Sequence, residues 1–214
     1  MHLTRADIQE MERIRRLNII NSITGIKPAN LIGTVSNDGD PNLAIFSSVL
    51  HLGSDPALLG FMLRPQEDVR RHTYENIKEN GFYTINHIHH HLVEQAHYTS
   101  AKFDKKESEF KECSFTEEYL FDFRAPFVQE SKLKLGMKFL ESIPIETNNT
   151  LMIIGTVEYV LIPDDAVDEK GDVNLEILGS VGVSGLGSYY RMLNIGQFPY
   201  ARKSELPGFT RNTA

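Results

Sequence analysis

Residues 31–50 read LIGTVSNDGDPNLAIFSSVL, and this sequence contains two strand signals and a turn signal. It begins with a short apolar run, Leu31–Val35, and ends with a second one, Leu43–Leu50. Between them lies a turn sequence, Asn37-Asp38-Gly39-Asp40-Pro41, whose Asp-Gly step supplies the positive φ that a tight hairpin needs. The stretch therefore predicts two antiparallel strands joined by a hairpin turn.

The residues that follow continue this strand pattern. A second turn, Gly53-Ser54-Asp55-Pro56, leads to a third apolar run, Ala57–Leu63. Because strands joined by short turns are commonly antiparallel neighbours, we expect a meander or a barrel. Further strands are predicted at Phe82–Asn86, 132–140 and 150–162.

Helices are expected outside these strands. Asp68 is predicted to cap a helix from Val69 to about Asn80, which Gly81 would end. A shorter helix is expected at His90–His97.

The N-terminus also has a helical pattern. Thr4 is predicted as an N-cap, with Asp7 near the positive end of the helix dipole. The residues expected to pack one helix face on the body are Ile8, Met11, Ile14 and Leu17. We expect a helical extension at 1–27, one barrel domain at 28–200 and a tail at 201–214.

The composition limits the possible classes of function. The chain has 29 acidic and 22 basic side chains, so its charge of −7 gives no general attraction for nucleic acid. Cys113 is the only cysteine, which excludes an internal disulfide and zinc sites built on several thiolates. The N-terminus lacks a signal peptide's apolar core, and no apolar run approaches the ~20 residues that span a bilayer. We expect a cytoplasmic protein with neither nucleic acid nor membrane as a partner.

Two neighbouring segments carry residues that suit an anionic, partly aromatic ligand. Arg64-Pro65 ends the third strand, and Arg70-Arg71-His72-Thr73 lies in the first turns of the predicted helix. Arginine forks, a hydroxyl and the N–H groups of a helix start are suited to a phosphate. The alternative is a capped surface helix with solvated arginines. The strand before carries Phe46-Ser47-Ser48, whose hydroxyls need partners if buried but are also common in half-exposed strands.

The order and spacing of short motifs from Pro28 to Asn86 carry a resemblance to a known family. The motifs are Leu31–Ser36, Asp38–Ala44, Ser47-Ser48, Asp55-Pro56, Arg64-Pro65, Thr73–Ile77 and Gly81–Asn86. Together they resemble the flavin reductase-like family. The resemblance implies a mainly β protein with peripheral helices, an antiparallel Greek-key split β-barrel of the FMN-binding type.

The resemblance also implies a function and a set of site residues. It implies a flavin reductase-like oxidoreductase that forms a homodimer, with FMN near the subunit interface. Bound FMN would pass hydride or electrons from NADH, NADPH or a partner to a flavin or another small-molecule acceptor. The implied cofactor-binding residues are Phe46, Ser47 and Ser48 at the flavin ring, and Arg64, Arg71 and Thr73 at the phosphate. Weaker candidates are Asn30, Ser36, Arg70, His72 and Lys102. No catalytic residue is assigned, because no acid–base pair stands out.

Two other functions are compatible with the same residues. One is a flavoprotein that only carries electrons between partner proteins, as flavoredoxin-like relatives do. The other is a split barrel without flavin that binds another ligand or an interaction partner. Rapid reduction of bound FMN by a nicotinamide, and the colour of the purified protein, separate these cases.

A histidine cluster offers a competing interpretation. Neutral imidazoles bind transition metals, and the cluster comprises His87, His89, His90, His91 and His97. A strand end followed by a helix start is expected to point these rings in different directions. We therefore predict no metal site, and instead a surface patch or a dimer contact.

Other motifs in the chain match their functional patterns poorly. Gly182, Gly185 and Gly187 do not form a dinucleotide fingerprint, and we expect a flexible turn before a short helix at Tyr189–Arg191. Ser184 lacks the glycines of a nucleophile elbow. The acidic neighbours of Cys113 disfavour its thiolate.

Overall fold

The computed structural model describes residues 1–65 and 71–209, which form mainly antiparallel sheet. The strands are β1 (Lys27–Pro28), β2 (Asn30–Val35), β3 (Pro41–Phe46), β4 (Leu50–Ser54), β5 (Ala57–Leu63), β6 (Phe82–His87), β7 (Glu117–Glu118), β8 (Phe127–Val128), β9 (Lys134–Ile145), β10 (Thr150–Leu161), β11 (Val181–Ser184) and β12 (Ser188–Arg191). The helices are α1 (Arg5–Glu10), α2 (Arg13–Ser22), α3 (His72–Asn80), α4 (Val93–Tyr98), α5 (Glu109–Glu112) and α6 (Leu175–Leu178). Short 3₁₀ turns lie at His90–Leu92, Asp164–Ala166 and Lys203–Glu205.

The large sheet closes into a barrel. Its strand order is β3-β2-β6-β9-β10-β5-β4, so four strands separate β3 from β5. Nevertheless, the rings of Phe46 on β3 and Phe61 on β5 meet edge to face at 5.0 Å. The Ser48 hydroxyl also hydrogen-bonds the backbone of Met62 on β5. These contacts close the barrel on the side where β3 and β5 share no backbone ladder, and β4 is left as the sheet's outer edge.

Two apolar clusters lie on opposite faces of the barrel wall. Successive residues of β2 alternate between them: Ile32 packs inside with Phe61 and Tyr83, whereas Leu31 packs outside with Phe110. Residues on both faces of β2 are therefore buried, which explains why apolar side chains occur at consecutive positions of this strand. The barrel class predicted from the sequence is confirmed.

The first hairpin and the predicted strands at 31–35, 57–63 and 82–86 are confirmed. Gly39 has φ +89°, and its N–H donates to the Ser36 carbonyl at 3.1 Å. The single strand predicted at Leu43–Leu50 is wrong, because β3 ends at Phe46 and β4 begins at Leu50. The expected pairing of three successive strands is also wrong, since β5 pairs with β4 and β10.

The N-terminal segment differs from its prediction in packing. Thr4 and Asp7 form the predicted N-cap as a reciprocal capping box. The helix nevertheless breaks at Glu12, which caps α2 by accepting from the N–H groups of Ile14 and Arg15. Of the residues expected to pack, Ile8, Met11 and Leu17 are half-buried and Ile14 is exposed, so this face is only partly covered and adds no residue to the core.

The segment near the C-terminus forms a hairpin where a helix was expected. β11 pairs with β12 through Ser184 and Ser188, and Gly185 has φ +62° in the turn. The helix predicted at Tyr189–Arg191 is therefore wrong, because these residues complete a sheet with β1. The helix expected at His90–His97 is confirmed as a 3₁₀ turn followed by α4. Within the described ranges, no helix is long and apolar enough to cross a membrane.

Candidate functional site

The end of β5 and the start of α3 bring two arginines together. Arg64 follows β5 and is exposed, while Arg71 occupies the N-cap position of α3 and is half-buried. Burial and the like charge of Arg64 lower the pKa of Arg71. The Arg71 Nε atom is buried and has no hydrogen-bond partner within the described part of the chain. Among residues 1–65 and 71–209, neither arginine has an acidic partner within ion-pair distance.

The pair of arginines at the start of α3 suits the binding of an anion. Two neighbouring guanidinium groups repel each other unless an anion lies between them, and an unpaired buried N–H is costly. The site lies at the start of a nine-residue helix, where backbone N–H groups also favour negative charge. The geometry therefore fits an anionic group such as a phosphate.

The helix start also corrects the predicted cap. The backbone of Arg71 is non-helical, with φ −121° and ψ 87°, so α3 begins at His72 with Arg71 as its N-cap. Asp68, Val69 and Arg70, which were predicted as the cap, the helix start and a phosphate contact, lie outside the described residues. The helix end is confirmed, because the Gly81 N–H donates to the Ile77 carbonyl at 2.8 Å.

Thr73 lies in a buried network of hydroxyl and amide groups. The Asn42 amide donates to the Thr73 hydroxyl at 3.1 Å and to the Thr34 hydroxyl at 3.3 Å. The Asn76 amide donates to the same Thr34 oxygen at 3.1 Å. The network ties the first turn of α3 to β2 and β3, and it uses Thr73 as an acceptor. The Thr73 proton is therefore available for a phosphate oxygen.

Sequence reasoning did not identify Asn42 and Asn76 as part of this site. Asn42 stands beside a turn and Asn76 in a polar helix, so neither suggests burial from its sequence context. The predicted hairpin could have identified Asn42. Asn42 lies opposite Thr34 in the β2–β3 register, so the two polar side chains were expected to lie close together.

The segment Phe46–Ser48 divides its side chains between the barrel and its surface. The Phe46 ring packs against Phe61 in the core. The Ser48 hydroxyl donates to the Met62 carbonyl at 3.1 Å and accepts from the Met62 N–H at 3.0 Å. Ser47 is half-buried, and its hydroxyl makes no hydrogen bond to the described residues. Ser47 is thus the best placed of the three to contact a ligand outside the barrel.

The weaker candidates do not gather at this site. The Ser36 hydroxyl accepts from the Asp40 N–H within the hairpin turn, and Lys102 is exposed. Asn30 is buried at the far end of β2, opposite His87, and both polar atoms of its amide lack partners. His72 is half-buried in the first turn of α3.

A second feature is a cleft of about 480 Å³ at the end of the barrel where β6 and β10 finish. Ten of its twelve lining residues are aliphatic and the other two are His51 and His87. Val49, which follows Ser47-Ser48 in the chain, also lines the cleft. The cleft is therefore a mainly aliphatic cavity that begins next to the predicted ligand strand.

The histidine cluster is tighter than its sequence suggested. The rings of His89, His90 and His91 lie 4.1–4.9 Å apart, and a nitrogen of each falls within 4.8 Å of the others. The expectation that these three rings diverge is therefore wrong.

Two observations nevertheless disfavour a cation in this cluster. His89 Nδ1 accepts from the His91 N–H, and His90 Nδ1 lies 3.4 Å from the Gly179 carbonyl. Burial lowers the pKa of His89, and the nearby charges of His90, Lys132, His91 and Arg191 lower it further. A cationic surrounding and an occupied nitrogen oppose metal binding. The absence of a physiological metal stays a prediction.

Cys113 and Tyr189, from the other motifs, both pack in the cluster outside the barrel wall. Burial and the charges of Glu109 and Glu112 raise the pKa of the Cys113 thiol, which agrees with an inert cysteine. The Tyr189 hydroxyl lies 3.1 Å from His97 Nδ1, so Tyr189 packs on α4.

The closed barrel and the arginine pair at the start of its helix define the class of the protein as a split-barrel protein of the flavin reductase type. The chain belongs to the flavin reductase-like domain family, whose model matches residues 26–177.

Solved structures agree with this assignment. A protein from Shewanella frigidimarina NCIMB 400, assigned as a flavin reductase with a split barrel domain, is 45% identical, with a TM-score of 0.90 over 94% of this chain and 100% of that one. Nitrilotriacetate monooxygenase component B from Bacillus cereus is 16% identical, with a TM-score of 0.81 over 92% and 98%. Flavoredoxin from Desulfovibrio vulgaris (Miyazaki F) is 22% identical, with a TM-score of 0.69 over 84% and 92%. The similarity to the last two proteins concerns the fold alone.

Proposed function

We propose that the protein is an FMN-dependent oxidoreductase. It passes hydride or electrons from a reduced nicotinamide, or from a partner, through bound FMN to a flavin or another small-molecule acceptor. The observation that carries this proposal is the Arg64–Arg71 pair, with its buried and unpartnered Nε atom, at the start of α3. The Shewanella relative, assigned as a flavin reductase, supports the same kind of activity.

The charge of the site favours FMN over FAD. The FMN phosphate is a monoester, and phosphate monoesters carry about −1.5 to −2 charges at neutral pH. The pyrophosphate of FAD spreads about two charges over two phosphorus centres, so neither centre alone presents the charge of a monoester to two arginines. Two guanidinium groups and a helix start match the monoester better.

The residues of the chain would hold and orient the cofactor. Arg71 and Arg64 would neutralise the phosphate, and Thr73 would donate its hydroxyl proton while accepting from Asn42. The Ser47 hydroxyl would contact the flavin side of the ligand. Bound FMN accepts and donates hydride, so the protein needs to supply position and electrostatics rather than an acid–base pair.

The first experiment is an absorption spectrum of the purified protein. We expect flavin bands, and after release from the protein the cofactor should be FMN. Under anaerobic conditions, NADH or NADPH should bleach these bands rapidly. A colourless protein that does not take up FMN would contradict the proposal, and bleaching only by a reduced protein partner would make the chain an electron carrier.

We also propose that the working form is a homodimer, without nucleic acid or membrane as a partner. Large apolar side chains are exposed at both ends of the described chain, including Ile23 at 70%, Leu193 at 76% and Phe198 at 87%. Burying such side chains is favourable by about 1.5–3 kcal/mol each, and a second copy is the commonest partner of this kind.

A further inference from the structure

The apolar cleft at the end of the barrel has the features of a binding site for a small molecule. Its volume of about 480 Å³ lies within the ~300–1,000 Å³ usual for ligand pockets. Aliphatic residues from β5, β6 and β10 form its walls, including Leu59, Ile85 and Val160. None of its lining residues is an aspartate, glutamate, lysine or arginine.

The half-buried side chain of His87 supplies a polar group in this cavity. Its Nδ1 lies 3.2 Å from the Ser180 hydroxyl, and its second nitrogen has no hydrogen bond within the described part of the chain. Burial lowers the pKa of His87 to about 4, so the ring is neutral at physiological pH. A neutral imidazole can exchange one hydrogen bond with a ligand, but it cannot offset a ligand's charge.

Asn30 adds a second neutral polar group beside His87. The two residues are opposite each other in the β2–β6 register, and Asn30 is 1% exposed. Neither polar atom of its amide has a partner. Buried polar groups are normally paired, so this end of the barrel has unused hydrogen-bonding capacity.

We infer that the cleft binds an uncharged compound of one or two rings that carries a carbonyl group. The rings contact the aliphatic walls, and the carbonyl accepts a hydrogen bond from His87 Nε2, which carries the ring proton when the Ser180 hydroxyl donates to Nδ1. A charged ligand is disfavoured because an ion in an apolar cavity without a countercharge pays a large desolvation cost.

The position of the cleft gives this ligand a role. Val49 lines the cleft and lies two residues after Ser47, the residue proposed to contact the flavin. The compound would therefore lie next to the cofactor as its second substrate. That role rests on the proposed function, whereas binding in the cleft does not.

The test compares two probes that differ in charge and have similar shape, 2-acetylnaphthalene and 2-naphthoate. Equilibrium dialysis with the full chain as purified measures the binding of each. We expect saturable binding of the ketone and at least about tenfold weaker binding of the carboxylate. No binding of the ketone, or equal affinities for both probes, would overturn the inference.

Charge variants locate the bound probe. Val160 lines the cleft and is 58% exposed, so Val160→Lys should fold normally. It should weaken the ketone and favour the naphthoate, changing the ratio of affinities at least about tenfold. Val173→Lys, at another exposed position of the lining, should act in the same direction.

Leu140→Lys is the matched control, because Leu140 is 54% exposed and lies outside the cleft lining. It should leave both affinities unchanged. An unchanged ratio in both cleft variants would place the probe elsewhere and contradict the inference. Since dialysis does not depend on flavin, a protein that binds the ketone but takes up no FMN would contradict only the proposed function.

Discussion

At the scale of single residues, Arg64 gives the most direct test of the phosphate site. Arg64→Ala removes one charge from the pair with Arg71 and leaves an exposed position. Because hydrogen bonds to charged groups contribute about 1.5–3 kcal/mol, FMN should bind about 10- to 100-fold more weakly. Riboflavin lacks the phosphate, so its affinity should change little. Fluorescence titration of the apoprotein measures both dissociation constants.

Thr73→Val is the companion variant, and it should cost less FMN affinity than Arg64→Ala. It removes one hydroxyl donor, but it also removes the acceptor of the Asn42 amide, so a thermal melt must accompany it. Equal losses for FMN and riboflavin in either variant would indicate damage to the fold. No loss for either ligand in folded protein would remove these residues from the site.

His87 predicts a pH dependence of stability. Its pKa is about 4 in the folded chain, against 6.5 for an unperturbed histidine. Between these values the unfolded chain takes up a proton that the folded chain refuses, so stability falls as the pH drops from about 6.5 to 4. The difference corresponds to about 3 kcal/mol of unfolding free energy. Urea unfolding at a series of pH values measures it.

The variant His87→Gln isolates this effect, because glutamine is polar and does not titrate. Its unfolding free energy should lose about 3 kcal/mol less than the wild type between pH 7 and pH 4. His91→Gln, at an exposed position, should follow the wild type. Parallel curves for the wild type and His87→Gln would show that His87 titrates normally.

At the scale of elements, the gap between β3 and β4 depends on Ser48. Its hydroxyl makes two hydrogen bonds to Met62 where β3 and β5 share no ladder. Ser48→Ala should therefore lower the unfolding free energy by about 1–3 kcal/mol, measured by urea denaturation. Ser47→Ala is the matched control and should change stability by less than about 0.5 kcal/mol. Equal stabilities for the two variants would rule out this account of barrel closure.

The elements that sequence predicts well are those whose signals are local. Two apolar runs with an Asp-Gly turn between them predict β2 and the first hairpin. Gly81 predicts the end of α3. The break after Phe46 could not be predicted, because it depends on a hydrogen bond between Ser48 and Met62 across the closed barrel. The prediction of one strand from Leu43 to Leu50 is wrong for this reason.

The site follows the same division. Arg64 and Arg71 are close in sequence and flank a strand end and a helix start, so their proximity could be predicted. The network of Thr73 with Asn42 and Thr34 could not, since it needs the packing of α3 on β2 and β3. The convergence of His89–His91 also escaped prediction, because it depends on the extended backbone of His89 at the N-cap of the 3₁₀ turn, where its ring accepts from the His91 N–H.

At the scale of the whole molecule, we expect a stable homodimer. Neither N-terminal helix buries a residue, and the chain from Leu193 to Phe209 is exposed throughout. Light scattering at micromolar concentration should give twice the mass of one chain. Phe198→Ser combined with Tyr200→Ser should raise the dimer dissociation constant at least about tenfold, since two large apolar contacts are lost.

The matched control for the dimer is Tyr98→Ser, which changes an exposed aromatic residue on α4. It should leave the mass unchanged. A monomeric wild type that retains FMN at micromolar concentration would contradict both the dimer and the role of the termini in it.

The outer edge of the large sheet also bears on how the protein behaves in concentrated solution. An edge strand with exposed apolar side chains can add strands from other molecules and grow into aggregates, and β4 carries Leu50 and Leu52 at 39% and 38% exposure. The register between β4 and β5 shifts between His51 and Gly53, so Leu52 is an extra residue that bends the strand. Pro56, in the turn that follows, cannot donate a hydrogen bond to a neighbouring chain. This irregular edge gives an incoming strand no continuous ladder, which opposes growth of the sheet into fibres.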